Sequence, residues 1–317
     1  MASIAEKIAV GAVAGLLVER VVQLGRRDSG HVEPPDPDGL DVTATDGSPI
    51  HVRTWGDPAG RPVVLLHGVT MHAGMWQRVA DGLSDHHILA MDLRGHGGSR
   101  AGEDGLGLEA NAGDLATVLE TLDLREVVLL GHSMGGMVVT RFLADAPADV
   151  RARVAGVGLV STVGRAPLPW LSRPAAAVTG FLAPFAARHR RLAWGLTRLP
   201  GSGVERVVTR ATFGSDAVDV DVDAVVDAYL GVHPADIAVI APSLLGHDVL
   251  DDLADVRCPV VVLVGENDLV TRPTDAQRLA DAFPDAEFRV EAGAGHQLFL
   301  ERAEAVVDVV RTLDARA

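Results

Sequence analysis

Cysteine and basic residues are both scarce in this chain of 317 residues. Cys258 is its single cysteine, so no intrachain disulfide can form and nothing points to an oxidising compartment. Lys and Arg number 28 against 43 Asp and Glu, which leaves a formal net charge of −15. Nucleic-acid-binding proteins normally carry the opposite sign, so the charge argues against that class. It also disfavours strongly anionic substrates.

Motifs that bind catalytic metals or nucleotides are missing as well. The chain has no H-E-x-x-H motif and no cysteine cluster, so no catalytic metal is implied. Residues 219–223 match only the first half of a calcium loop, and we interpret them as an acidic helix face. Residues 131–136 lack the lysine of a phosphate loop, and the partial glycine motif from residue 105 follows no strand. We therefore expect neither a metal nor a cofactor.

The N-terminal region has no apolar run of the roughly 20 residues that a membrane span requires. Residues 8–18 are uncharged but too short, and no A-x-A cleavage site of a signal peptide follows them. An apolar face opposite Glu19, Arg20 and Gln23 predicts an amphipathic helix. Residues 28–38 contain three prolines and are interpreted as a linker. We expect a cytoplasmic protein, with peripheral membrane contact through residues 1–27 as the alternative.

Strand and helix patterns alternate from residue 39 onward, which predicts an α/β fold with a mostly parallel sheet. The predicted strands are 40–47, 49–56, 62–68, 86–93, 126–133, 154–162, 259–265 and 286–293. The predicted helices are 74–83, 108–122, 134–144 and 297–313. Residues 164–240 interrupt this rhythm with prolines and aromatic residues, and we interpret them as a mostly helical insertion.

The strongest local motif is G-x-S-x-G at residues 131–135, between an apolar strand and a helical run. In this context the serine lies on a sharp, strained turn, and glycines are needed where the backbones approach closely. The N-terminus of the following helix favours the negative charge that develops during acyl transfer. Ser133 is therefore the predicted nucleophile. The alternative is a tight turn without activity.

Backbone N–H groups near the serine must stabilise an oxyanion. One should come from Met134, directly after the nucleophile, and the other from Val69 in the loop after the third strand. Gly68 allows the close approach, and we interpret the neighbouring His67 as structural. Cys258 is interpreted as a small core residue, with a catalytic thiol as the alternative.

Two further residues follow the last strands of the predicted sheet. Asp268 ends the segment after the strand at 259–265, where it can orient a base, and Glu266 is an adjacent alternative. His296 lies in a glycine-rich loop before the closing helix and is the predicted general base. The order Ser133, Asp268, His296 matches the order of the catalytic triad in one large fold family.

The chain resembles the α/β-hydrolase fold family over about residues 40–317, apart from the insertion. The resemblance is carried by HGV at 67–69, DLRGHGGS at 92–99, GHSMGG at 131–136, GENDLVTRP at 265–273 and GAGHQLFLE at 293–301. It implies a core of residues 39–163 and 241–317, a helical cap at 164–240 over the active site, and a structural loop at 94–99. Residues 1–38 lie outside it. Such folds host many reactions, so the substrate stays open.

The implied activity is that of a serine esterase that uses an acyl-enzyme. Relatives that act as dehalogenases or epoxide hydrolases use a carboxylate nucleophile, and Ser133 argues against both activities. We expect a small to medium, fairly hydrophobic carboxylic ester as substrate. The alternatives are carbon–carbon cleavage, lactone hydrolysis and cofactor-free perhydrolysis of the haloperoxidase type. Two alternatives of a different class also stay open: a slow-turnover ligand receptor of this fold, and a membrane-tethered scaffold that rests only on residues 1–27. The oligomeric state stays open.

Overall fold

The computed structural model describes residues 39–166 and 204–317 of the chain. The predicted amphipathic helix, the linker at 28–38 and residues 167–203 of the predicted insertion lie outside the described residues. The division into core, cap and N-terminal region is therefore still a prediction.

The described residues form one eight-stranded sheet with the spatial order β1-β2-β4-β3-β5-β6-β7-β8. The pairs β1–β2 and β2–β4 are antiparallel, and the other five neighbouring pairs are parallel. This arrangement confirms the predicted mostly parallel sheet. The strands are β1 (Gly39–Thr43), β2 (Pro49–Gly56), β3 (Pro62–Leu66), β4 (His87–Met91), β5 (Val127–His132), β6 (Val154–Val160), β7 (Val260–Gly265) and β8 (Ala286–Glu291).

Helices cover both faces of this sheet. They are α1 (Gln77–Asp81), α2 (Leu108–Thr121), α3 (Met134–Asp145), α4 (Ala148–Arg151), α5 (Val204–Arg210), α6 (Asp219–Gly231), α7 (Pro234–Gly246), α8 (Pro273–Asp281), α9 (Leu298–Glu301) and α10 (Ala303–Arg316). Buried side chains of α2, α3 and α8 pack on one face, and those of α1, α9 and α10 pack on the other.

The apolar runs of the central strands follow from this double cover. Along β3, Val63 and Leu65 point into one core cluster, whereas Val64 and Leu66 point into the other, and all four are fully buried. Successive strand residues face opposite sides of a sheet, so both sets must be apolar. Burial of each such side chain contributes roughly 1.5–3 kcal/mol.

The closing helix is predicted as one segment over 297–313, but the structure has two helices there, α9 and α10. Arg302 has φ −142° and ψ 54°, so its non-helical backbone separates α9 from α10. The Arg302 guanidinium donates to the carbonyl oxygen of Glu301 at 2.9 Å and to Asp216 at 3.2 Å. These side-chain contacts have no signature in the apolar periodicity, which continues through the break.

The described part of the predicted insertion consists mainly of α5, α6 and α7. The last of these helices runs to Gly246, beyond the boundary predicted at residue 240. Within the described ranges no single helix is long and apolar enough to cross a membrane. In the part of the chain that the structure describes, one bent pair, α6 together with 236–246 at 106°, meets the criteria of length and hydropathy.

Gly135, at the start of α3, allows this helix to pack directly on β3. A Cβ atom at Gly135 would lie 2.2 Å from the carbonyl oxygen of Leu66, a backbone atom. We expect Gly135→Ala to lower the free energy of unfolding by about 1–3 kcal/mol through overpacking. Gly113 is the matched control, because it lies in α2 and a Cβ atom there meets nothing within 4 Å.

Gly113→Ala should raise the free energy of unfolding by about 0.4–1 kcal/mol, since it restricts the unfolded chain without strain. Urea denaturation of both variants measures the two changes. Equal effects of the two substitutions would contradict the close contact between α3 and β3.

Candidate active site

Four predicted site residues lie at one edge of the sheet, where the parallel strands end. Val69 follows β3, Ser133 follows β5, Asp268 follows β7 and His296 follows β8. Parallel strands present all their carboxyl ends at the same edge, which is where ligands bind in sheets of this type. The topology therefore brings together residues that are up to 227 positions apart, counted from 69 to 296.

Ser133 lies at a strained turn between β5 and α3. Its φ of 52° and ψ of −116° place it where non-glycine residues are rare. The turn is held by a hydrogen bond from the Ser133 N–H to the carbonyl oxygen of Val160 at 3.0 Å. The Thr162 hydroxyl donates to the Ser133 carbonyl oxygen at 2.7 Å. A Cβ atom at Gly131 would lie 2.6 Å from backbone atoms of Gly135, so the predicted need for glycine is met.

The three predicted triad side chains are within hydrogen-bonding distance of one another in series. Nε2 of His296 lies 3.1 Å from the Ser133 hydroxyl oxygen. Nδ1 of His296 lies 2.9 Å from Oδ2 of Asp268. Because an ionised carboxylate only accepts hydrogen bonds, Nδ1 carries the proton of the neutral ring. Nε2 is then free to accept a proton from Ser133.

The Asp268 carboxylate is buried and fully occupied by donors. Oδ1 accepts the N–H groups of Val270 and Thr271, both at 2.8 Å, and Oδ2 accepts the Thr271 hydroxyl at 2.7 Å in addition to His296. Burial by itself raises the pKa of Asp268, but the neighbouring His296 and these hydrogen bonds outweigh burial, so the net pKa is lowered. The carboxylate therefore stays charged.

Glu266, the alternative acid, has a different contact. Its carboxylate accepts the N–H of Gly293 at 2.9 Å and is exposed to solvent. Thr271 was not singled out in the sequence. A threonine three residues after an aspartate in a loop is a weak local signal, because short polar side chains often bond to nearby backbone and side-chain groups.

The two predicted oxyanion donors occupy equivalent positions after adjacent strands. Leu66 is paired with Gly131 in the β3–β5 register, so Val69 and Met134 each follow three residues after this pair. Among the described residues neither N–H group has a hydrogen-bond acceptor. Free backbone N–H groups near a nucleophile are what an oxyanion requires.

Buried histidines shape the loops around these donors. Nε2 of His67 accepts the N–H of Leu93 at 3.0 Å, which agrees with the structural role predicted for it. Nε2 of His96 accepts the N–H of Thr70 at 3.1 Å, directly after Val69. The loop predicted at 94–99 is thereby connected to the loop that carries the oxyanion donor.

Arg94 also holds the loop at 94–99 in place. Its buried guanidinium donates two bonds to Asp114, at 2.6 and 2.7 Å, and one to Asp46 at 2.7 Å. The hydrogen bond from Arg94 holds the pKa of Asp46 well below its usual range, whereas burial raises the pKa of Asp114. A bidentate pair of this kind fixes geometry as well as charge.

His132, immediately before Ser133, was not singled out in the sequence. Its Nε2–H donates to the carbonyl oxygen of His296 at 2.9 Å, and its ring stacks obliquely on that of Phe299 at 4.7 Å. Position x of a G-x-S-x-G motif is variable by definition, so no pattern marked it. This hydrogen bond connects the loop of the predicted base to the turn of the predicted nucleophile.

The alternatives for Cys258 and residues 219–223 find no support in this geometry. Cys258 precedes β7, at the opposite edge of the sheet from Ser133, packs against the core, and burial raises the pKa of its thiol to about 11. Asp221 is paired with Arg78, and Asp219 and Asp223 are paired with Arg206. Across the described ranges no group of three or more His, Cys, Asp or Glu is arranged to hold a metal ion.

Comparisons with known proteins agree with this fold. The sequence matches the model of the alpha/beta hydrolase fold family over residues 61–303, so the chain belongs to this family. The non-heme chloroperoxidase of Streptomyces lividans is 30% identical over 270 residues, which cover 83% of this chain and 95% of that protein.

The chain is also similar to esterases. The pimeloyl-(acyl-carrier protein) methyl ester esterase of Nitrosomonas europaea is 28% identical over 277 residues and is covered to 96%, against 81% of this chain. A solved structure of a thermophilic esterase from Thermogutta terrifontis, with malate bound, has a TM-score of 0.71 at 26% identity and covers 87% of this chain and 98% of its own. These relatives support a hydrolase.

Exchange of Asp268 for asparagine tests the orientation of the base. The oxygen of the introduced amide can keep the two backbone N–H groups, which turns its NH₂ group toward Nδ1 of His296. The ring proton is then forced onto Nε2, which can no longer accept the Ser133 proton. We expect Asp268→Asn to lower kcat for an ester by about 10³- to 10⁴-fold with little change in KM.

Glu266→Gln is the matched control, because the glutamine oxygen can still accept the Gly293 N–H. Its kcat should stay within about threefold of the wild type, since a surface hydrogen bond contributes only modestly. The assignment of the acid is wrong if Glu266→Gln, and not Asp268→Asn, abolishes turnover.

The buried histidines predict a steep loss of stability in mild acid. Burial lowers the pKa of His67, His96 and His132 from the ordinary 6.5 to about 3. Below pH 6.5 the unfolded chain therefore binds protons that the folded chain does not. As the pH falls from 6.5 toward 5, each histidine should remove unfolding free energy at a rate that rises to about 1.4 kcal/mol per pH unit.

Urea denaturation at half-unit pH steps measures this slope. His132→Gln should make the slope shallower by about one proton, whatever its stability at pH 7. A wild-type stability that is flat between pH 6.5 and 5 would show that these rings are protonated in the folded state.

Proposed function

We propose that this protein is a serine hydrolase that cleaves carboxylic esters, with Ser133 as nucleophile, His296 as general base and Asp268 as the residue that orients the base. One observation carries the proposal. At the strained turn after β5, the hydroxyl of Ser133 lies 3.1 Å from a ring nitrogen whose partner nitrogen is held by a buried carboxylate. Nucleophile, base and orienting group in series are the arrangement that activates a serine.

The first half of the reaction transfers the acyl group to the enzyme. Nε2 of His296 takes the proton of Ser133 as its oxygen bonds to the ester carbonyl carbon. The negative oxygen is stabilised by the N–H groups of Val69 and Met134. The imidazolium, stabilised by Asp268, then gives the proton to the leaving alcohol as the carbon–oxygen bond breaks.

The second half releases the acid. Water replaces the alcohol, His296 takes its proton, and the hydroxide bonds to the acyl carbon. Collapse of this second tetrahedral species breaks the bond to the Ser133 oxygen, which regains the proton. No external reductant, oxidant or metal is required for this cycle.

Neutral esters of small to medium size and moderate hydrophobicity are the substrates we propose. The acidic net charge of −15 disfavours anionic molecules in solution. Two of the relatives named above are esterases, and one is a methyl ester esterase. Perhydrolysis is a second candidate, because the relative from Streptomyces lividans is a chloroperoxidase without heme. Hydrogen peroxide would then replace water as the acceptor of the same acyl group, with a peracid as product.

A fluorophosphonate probe tests the nucleophile directly. The wild type should be labelled covalently, with loss of fluoride from the probe, and Ser133→Ala should not be labelled. Wild type should also turn over p-nitrophenyl esters of graded chain length many times, and the variant should lose at least about 10³-fold of that rate. Thr117→Ala is a control for substitution of a hydroxyl residue, because the Thr117 hydroxyl donates only to the carbonyl oxygen of Gly113 within α2.

The outcomes separate the candidates. Absence of labelling in the wild type rejects the nucleophile, whereas labelling with a single stoichiometric turnover favours a slow-turnover receptor. Addition of peroxide to the same ester assays, with the peracid measured by bromide oxidation, distinguishes a perhydrolase from an esterase.

A further inference from the structure

Three consecutive backbone N–H groups surround the predicted base, and all three are occupied. The N–H of Gly295 lies 3.1 Å from both carboxylate oxygens of Glu301, and the N–H of Gln297 lies 3.1 Å from one of them. Between them, the N–H of His296 donates to the carbonyl oxygen of Thr212 at 2.7 Å. The backbone on either side of the imidazole is therefore held by one carboxylate.

The same carboxylate also holds the segment between α5 and α6. Oε2 of Glu301 accepts the N–H of Gly214 at 2.7 Å. The side-chain amide of Gln297 donates to the Thr212 hydroxyl at 3.1 Å. Glu301 thus joins two pieces of backbone, the loop of His296 and the segment 212–214, which are more than 80 residues apart in the chain.

The two pieces of backbone are in direct contact. A Cβ atom at Gly295 would lie 2.4 Å from the carbonyl carbon of Phe213, and one at Gly214 would lie 2.1 Å from the carbonyl oxygen of Gly293. Because not even a Cβ atom would fit between the two backbones, the His296 loop has no room to move toward the segment. On the other side, the carbonyl oxygen of His296 accepts Nε2–H of His132.

We propose that Glu301 is a positioning residue that keeps His296 within reach of Ser133. This inference rests on the proposed function, because it assumes that His296 is the base. The carboxylate accepts charge-assisted hydrogen bonds from the N–H groups on both sides of His296. Such bonds are stronger than hydrogen bonds between neutral groups. Loss of these bonds lets the loop shift, and displacement of a catalytic group by about 1 Å lowers the rate by about 10²-fold.

Glu301→Gln is the first variant that tests this role. Its side chain has one acceptor oxygen, and its NH₂ group faces an N–H group that needs an acceptor. We expect kcat for a p-nitrophenyl ester to fall about 10- to 100-fold, with KM within about threefold of the wild type. The rate of fluorophosphonate labelling should fall in the same proportion. Glu304→Gln, on the exposed side of α10, is the matched control and should leave both rates unchanged.

A spectroscopic readout separates positioning from general destabilisation. The proton between Nδ1 of His296 and Asp268 should give a low-field ¹H NMR resonance in the wild type and in Glu304→Gln. In Glu301→Gln this resonance should shift or broaden while the circular dichroism spectrum stays native. Glu301→Asp keeps both acceptor oxygens on a shorter side chain, so its kcat should lie between those of the wild type and Glu301→Gln.

The inference is overturned if Glu301→Gln folds and keeps the wild-type kcat, labelling rate and resonance. If Glu301→Gln does not fold, Glu301→Asp decides, and an unchanged kcat and resonance in this variant overturn the inference as well. Failure of the proposed function has a different signature, because the wild type itself would then show neither labelling nor turnover, while the NMR comparison of the His296 ring would still report its position.

Discussion

The buried charge of Asp268 is the constraint on which the rest of the site depends. An uncompensated carboxylate in a protein interior costs several kcal/mol, so it persists only where donors satisfy both oxygens. Three donors come from the turn at residues 270–271, and the fourth is the ring of His296. The hydrogen bond to Asp268 places the proton of the neutral imidazole on Nδ1, which leaves Nε2, the nitrogen that faces Ser133, able to accept a proton. Under the proposed function, the direction of proton transfer follows from the hydrogen bonds of this buried carboxylate.

The sheet brings these groups together at one edge. Parallel strands end at the same edge of the sheet, so the short loops that follow them deliver side chains and N–H groups to that one edge. Close packing of glycines on backbone, as between Gly135 and Leu66, brings α3 near enough for its N-terminus to face the site. His67 and His96 then hold the surrounding loops through hydrogen bonds. Burial lowers the pKa of both rings, so they are neutral.

Much of this architecture could be predicted from local patterns. Fully apolar strands have to be covered on both sides, which predicts the layers of the fold. Ser133 can be recognised from the glycines at 131 and 135, within a motif of five residues. Three features could not be predicted in the same way. They are the helix break at Arg302, the hydrogen bond from His132 to the carbonyl oxygen of His296, and the contacts of Glu301. Each depends on a partner that is distant in the chain, or on side-chain bonds that leave helical periodicity intact. The position of these partners is a property of the packed fold and has no local signature.

The hydrogen bond from His296 to Thr212 has a consequence for how this scaffold can be altered. The carbonyl oxygen of Thr212, between β6 and β7, accepts the backbone N–H of His296, so this segment contributes directly to the position of the predicted base. Replacement of the segment by one from another protein would have to reproduce a carbonyl group at that point. Natural or engineered exchange of this segment is therefore restricted to sequences that preserve this one backbone junction.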